Sequence, residues 1–213
     1  MVNIISPNMI KTYQTCPKKY YLKYIENLNI PTSTSFFERG KKIHALANYY
    51  LQNVDITRIE NELTDDEKFL WQRLLNNKYF QMNYYASEFQ MSFKADKYWF
   101  GGRLDAVVRE NKNYYILDYK TGQTPNNAVY YIQTMVYLLA LSKHLKNNYD
   151  SLKFVYINLK ENKNLVIELN NILETEYIKK IIEIYNKIEK DNVYQKNCNG
   201  CRNCEYLQIC KEE

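Results

Sequence analysis

Residues 116–122 read Ile116-Leu117-Asp118-Tyr119-Lys120-Thr121-Gly122. The run from Tyr115 to Leu117 predicts a strand buried in a sheet, and two charged residues then interrupt it. Side chains alternate along a strand, so Asp118 and Lys120 share one face, roughly 7 Å apart at the backbone. Charge is expensive to bury without a partner, so a pair placed here needs a reason. Upstream, Tyr84 to Val108 reads as strands, with Phe89, Met91 and Phe93 alternating against Gln90, Ser92 and Lys94. That region holds Gly101-Gly102-Arg103-Leu104-Asp105, and Asn111-Lys112-Asn113 supplies a turn before the strand Tyr114 to Lys120. The short turn lets Asp105 face Asp118.

Two facing carboxylates repel one another, and a divalent cation removes that penalty. Mg²⁺ and Mn²⁺ take hard oxygen ligands of this kind. Lys120 adds a positive charge beside them. The constellation suits hydrolysis of a phosphodiester.

Outward from this centre the pattern is mixed. Ser6-Pro7 predicts a helix start that runs to Ile25 and is bent or divided at Pro17. A second helix is expected from Ser35 to Leu51, carrying His44, and a third from a capping box of Thr64 and Glu67. After a loop from Thr121 to Asn127 come a helix from Ala128 to Leu145, a hairpin of Leu152–Asn158 and Leu165–Leu169, and a long helix from Ile172 to Lys190. Asn197 to Cys210 carries little helix or strand signal. The expected fold is a mixed central α/β sheet flanked by helices, with a helical N-terminal region and a cysteine-rich tail. The expected organisation is a single domain over 1–213, with a helical part to about 82, a core over about 83–190 and the tail from about 191.

The chain has 213 residues, 46% of them hydrophobic, enough for a substantial core. A net charge of +5 is compatible with a polyanionic partner. No basic leader followed by an apolar run is seen and no stretch has the length of a membrane span, so a cytoplasmic location without membrane contact is expected. Five cysteines in such a setting point to metal or cluster ligation rather than disulfides.

Gly102-x-x-Asp105, Asp118-Tyr119-Lys120-Thr121-Gly122 and Gln133-x-x-x-Tyr137 together resemble the RecB-like branch of the PD-(D/E)XK nucleases. The likeness is nearest to the CRISPR-associated exonucleases and the nuclease domains of recombination helicase–nucleases, and runs from Ser6 to Cys210. Leu104 departs from the proline of the superfamily's name and touches no expected ligand. The resemblance implies Asp105, Asp118, His44 and the Tyr119 carbonyl as ligands of Mg²⁺ or Mn²⁺, and Lys120 as the catalytic lysine. Gln133 and Tyr137, one helical turn apart, would line the site. Glu88 is a further acid candidate, and Arg103 and Lys41 are candidate phosphate contacts.

The same branch joins one N-terminal cysteine to a C-terminal triplet around a [4Fe-4S] cluster, which here implies Cys16, Cys201, Cys204 and Cys210. Cys198 leaves a second reading open, because Cys198, Cys201, Cys204 and Cys210 form a local set able to bind Zn²⁺. The implied function is a metal-dependent DNA nuclease, an exonuclease on single strands or DNA ends, serving CRISPR adaptation or DNA recombination and repair. The implied partners are DNA and either a CRISPR integrase or a recombination helicase, since no motor motif is present. The alternative is a catalytically silent nucleic-acid-binding or scaffold module, against which the joint presence of both acids, the lysine and the histidine argues.

Overall fold

The computed structural model describes residues 4–30 and 35–211. A short strand, β1 (Ile4–Ile5), leads into helix α1 (Pro7–Thr15), whose start is fixed by Ser6 accepting the Met9 amide and by Pro7 in the first turn. Cys16 is extended and breaks the helix ahead of Pro17. Helix α2 (Pro17–Tyr20) then runs into a π-helical turn, Tyr21–Ile25. Helix α3 (Ser35–Leu51) and the short α4 (Thr57–Asn61) precede α5 (Asp65–Leu75). The expected capping box forms at α5: Thr64 accepts the Glu67 amide and Glu67 accepts the Thr64 amide. The α4 turn was not foreseen, being too short to carry a period.

Strands β2 (Asn83–Ala95) and β3 (Tyr98–Glu110) form a long hairpin, and β4 (Asn113–Lys120) pairs antiparallel with β3. Helix α6 (Ile132–His144) crosses to β5 (Ser151–Asn158), which lies parallel to β4. Strand β6 (Lys163–Glu168), antiparallel to β5, and helix α7 (Asn171–Lys190) complete the core. The expected helix from Ala128 begins later, because Tyr131 is still extended. The tail holds more structure than expected: a 3-10 helix, Cys198–Asn203, and a short helix α8 (Leu207–Lys211).

Alternation along β4 and β5 divides the core in two. Tyr114, Ile116, Leu152, Phe154 and Tyr156 pack with residues of α1, α6 and α7. Tyr115, Leu117, Tyr119, Val155 and Ile157 pack with residues of α3, α4 and α5. The central sheet is therefore mixed and covered by helices on both faces.

One irregularity positions the site. The β3–β4 ladder ends at Ala106 and Leu117. Beyond it β1 pairs with β3 at Trp99 and Phe100, filling in parallel the row that β4 leaves. Residues 101–105 of β3 lie between these two partners, so the sheet forks with Asp105 on one prong and Asp118 on the other.

Candidate active site

Asp118 is buried at 3% exposure. Its Oδ1 accepts from the Gln133 amide at 2.6 Å, and its Oδ2 lies 2.7 Å from Lys120 Nζ. Gln133 reaches it from the first turn of α6, on the face that Asp118 and Lys120 share. Across the sheet, α3 brings His44 into the fork from the other side. His44 Nδ1 is 3.3 Å from Asp105 Oδ2, and Nε2 is 3.1 Å from the Tyr119 carbonyl. The fork explains why that carbonyl accepts from a side chain, since β3 has already left β4 at this point.

Electrostatics follow from this crowding. Burial pushes the Asp118 carboxyl up to about 6, with Lys120 opposing and Asp105 reinforcing the shift. Burial works against charge on Lys120, but Asp118 and Asp105 outweigh it and hold the ammonium above its ordinary range. His44 is likewise raised: burial opposes, while the Asp105 hydrogen bond and charge prevail.

Asp105 Oδ2 and Asp118 Oδ2 are both buried, the first meeting only His44 Nδ1 and the second only Lys120 Nζ. Two buried carboxylate oxygens, an imidazole and a carbonyl are the donor set that a hard divalent cation takes. Among the described residues no group of three or more His, Cys, Asp and Glu side chains is drawn together at ligand spacing. Lys120 sets its ammonium against Asp118, and the His44 ring lies against Asp105.

A cleft of about 1120 Å³ opens over the fork. His44, Asp105, Tyr137, Lys41, Glu88 and Arg103 all border it. Glu88 Oε2 pairs with Arg103 Nε at 2.8 Å, and Glu88 takes a left-handed backbone, φ 48°, that side chains rarely adopt. Burial raises the Tyr137 hydroxyl above its ordinary range, as do Asp105 and Asp118. Gly102 lies beneath Tyr137: a Cβ there would stand 3.1 Å from the tyrosine ring and hydroxyl and 3.5 Å from Pro7.

A family model for the PD-(D/E)XK nuclease superfamily matches residues 4–211. The chain belongs to the PD-(D/E)XK nuclease superfamily. Among curated relatives, the CRISPR-associated exonuclease Cas4 of Francisella tularensis subsp. novicida (strain U112) is 22% identical over 213 residues, covering 98% of this chain and 94% of that one. A solved candidate exonuclease from Eubacterium rectale shares the fold, with a TM-score of 0.61 at 8% identity over 97% of this chain and 87% of that chain. The RecB-like, Cas4-like resemblance and the mixed-sheet nuclease fold expected from sequence are thereby borne out. No helix among the described residues is long and apolar enough to cross a membrane.

The cysteines gather elsewhere in this PD-(D/E)XK chain. Cys16, Cys201, Cys204 and Cys210 border one cavity of about 80 Å³ between the α1–α2 joint and the tail. Asn197 ties the two together: its amide donates to Cys16 Sγ at 3.4 Å and its side chain donates to the Thr15 carbonyl at 2.9 Å. Cys198 is exposed and does not border the cavity. Burial pushes the Cys201 thiol up, followed by contact with Cys198 and by the nearby Cys204 and Cys210.

Sequence reasoning passed over several residues of the site. Pro7, Asn8, Lys11 and Tyr131 border it only because β1 and α1 fold back over β3. Asn158 stands opposite Lys120 in the β4–β5 ladder, buried at 2%, its Oδ1 holding the Glu161 amide and its Nδ2 unpartnered. A strand-end asparagine in register with Lys120 was the available signal for it.

Proposed function

We propose that the protein is a divalent-metal-dependent DNA nuclease that acts on single strands or duplex ends. The observation that carries this is the fork: two acids on diverging strands, each with a buried oxygen that meets a single nitrogen, His44 Nδ1 or Lys120 Nζ, below an open cleft. Asp105, Asp118, His44 and the Tyr119 carbonyl would hold Mg²⁺ or Mn²⁺. Such an ion supplies charge for the phosphate and lowers the pKa of water.

The chain's own groups do the rest. Gln133 fixes the Asp118 carboxylate by its amide, so that Oδ2 is the oxygen left toward Lys120. Lys120 offers its ammonium to the charge that develops on a phosphate oxygen. Arg103 and Lys41 border the cleft where a polyanionic backbone would pass, and contact phosphates without reading sequence. Cys16, Cys201, Cys204 and Cys210 present four thiols around one cavity, which fits a [4Fe-4S] cluster that joins α1 and α2 to the tail. The CRISPR-associated relative supports a role in CRISPR adaptation beside an integrase, with recombination beside a helicase as the other setting.

The test is a cleavage assay on labelled single- and double-stranded DNA with Mn²⁺ or Mg²⁺, using protein purified without oxygen. Cutting is expected, stops with EDTA, and falls about 100- to 1,000-fold in Lys120→Ala. Protein that cuts neither substrate, or a Lys120→Ala variant with the wild-type rate, refutes the proposal.

A further inference from the structure

Pro7, Asn8 and Tyr137 border two spaces at once. On one side lies the large cleft already described; on the other is a recess of about 280 Å³. Lys120 and Gln133 line this recess, so it opens directly on the lysine that faces Asp118. Its remaining wall is Ile132, buried at the start of α6, with Lys11, exposed on the second turn of α1, and Tyr131, half-buried just before α6. Lys11 Nζ lies over the Tyr131 ring, 5.6 Å from its centroid, within cation–π range. None of the roles assigned above uses this pair.

We infer that the recess is a nucleotide subsite, in which Tyr131 stacks on the base beside the scissile phosphate and Lys11 holds the next phosphate. The inference rests on the nuclease reading of the neighbouring site. Its volume is near the lower end for small-molecule sites, about 300 Å³, which suits one nucleoside and not a base pair. A ring with an ammonium on a flexible stem over it is a stacking platform beside a mobile phosphate contact, the combination single-strand sites use. When a base covers the ring, Lys11 swings from the ring to the phosphate. The substrate is then a single strand at the point of cutting: a duplex end must fray before its nucleotide enters, while the rest of the strand lies in the larger cleft.

The experiment measures binding of fluorescent oligothymidylate in Ca²⁺ and cleavage in Mn²⁺ for wild type, Tyr131→Leu, Tyr131→Phe and Lys11→Ala. Thermal melts of each variant separate lost binding from lost folding. Tyr131→Leu is expected to weaken binding about 5- to 100-fold, with Tyr131→Phe restoring it because the ring is kept. Lys11→Ala should lower the salt slope of log affinity by about 0.7, one phosphate contact on a single strand. Folded variants that bind and cut as wild type overturn the subsite and leave the nuclease reading intact. Binding that depends on Tyr131 without any cutting upholds the subsite and overturns the nuclease reading. Protein that neither binds nor cuts overturns both.

Discussion

Adjacent glycines on β3 should fail in different ways. A Cβ at Gly101 would stand 2.2 Å from the Met91 carbonyl oxygen and 2.7 Å from Ser92 Cα, both backbone atoms of β2. That is more than an ångström inside ordinary contact, and no side-chain rotation relieves it. The hairpin must shift, an overpacking cost of about 3 kcal/mol or more. For a chain of this size that lowers Tm by roughly 6–12 °C in Gly101→Ala. At Gly102 the nearest neighbour is the edge of the Tyr137 ring at 3.1 Å, with Pro7 at 3.5 Å. A few tenths of an ångström from a side chain suffices, under about 1 kcal/mol or about 4 °C. The group that yields, however, lines the cleft beside Lys120, where small displacements are felt in rate. Gly102→Ala should therefore cut DNA about tenfold more slowly while melting almost as wild type. Differential scanning calorimetry and the Mn²⁺ cleavage assay measure both. Equal losses of Tm in the two variants, or full activity in Gly102→Ala, would refute the reasoning.

Two further predictions concern the tail and the α5 cap. Anaerobically purified protein should be brown; Cys16→Ser should lose iron and colour, whereas Cys198→Ser keeps both, and stoichiometric zinc in colourless wild-type protein would overturn this assignment. Glu67→Ala removes the carboxylate that accepts the Thr64 amide and the 2.9 Å contact with Lys42, leaving the Thr64 hydroxyl cap, and should cost about 1 kcal/mol, or about 2–4 °C, at pH 7. Burial pushes the Glu67 carboxyl up, but the Thr64 amide and Lys42 outweigh it, so its folded value lies below the unfolded one. The stability it contributes is then present above the unfolded carboxylate range, about 4.3, and is lost as pH falls through the folded value. Melts from pH 7 to pH 3 should show wild type and variant converging on the acid side; a gap that persists or widens there contradicts the cap's charge.

Two helix starts were legible because their caps are local: Ser6 with Pro7, and Thr64 with Glu67, need only four residues to declare themselves. So were Asp118 and Lys120, since alternation alone puts them on one face. The turns are legible in another way. Asn27, Asn53, Asp96, Asn111, Asn147 and Asn162 all take the left-handed backbone and no described glycine does, so asparagine does in this chain what glycine does elsewhere. What escaped was non-local. Ile4–Ile5 is too short to show a period, and its pairing with Trp99 and Phe100 is the contact that swings α1 over the site. Tyr131 looked helical by composition, but it stays extended at the mouth of α6. His44 sits on an ordinary amphipathic helix, and only the resemblance, not the period, marked it out.

The fork in the sheet divides tolerance to change along two strands. On the zipped side, from Ala106 and Leu117 outward, each residue of β3 is bound to a neighbour across the ladder, and a substitution is felt by both strands. On the splayed side, residues 101–104 answer to β2 alone for their pairing until β1 takes over, and Asp105 stands in neither ladder. Where the neighbour there is a side chain, as at Gly102, a substitution is absorbed without unzipping what lies behind it; at Gly101, packed on the β2 backbone, it is not. A lineage keeping this scaffold could revise what the prongs grip, residue by residue, while the spacing of the two acids stays fixed by rungs further down.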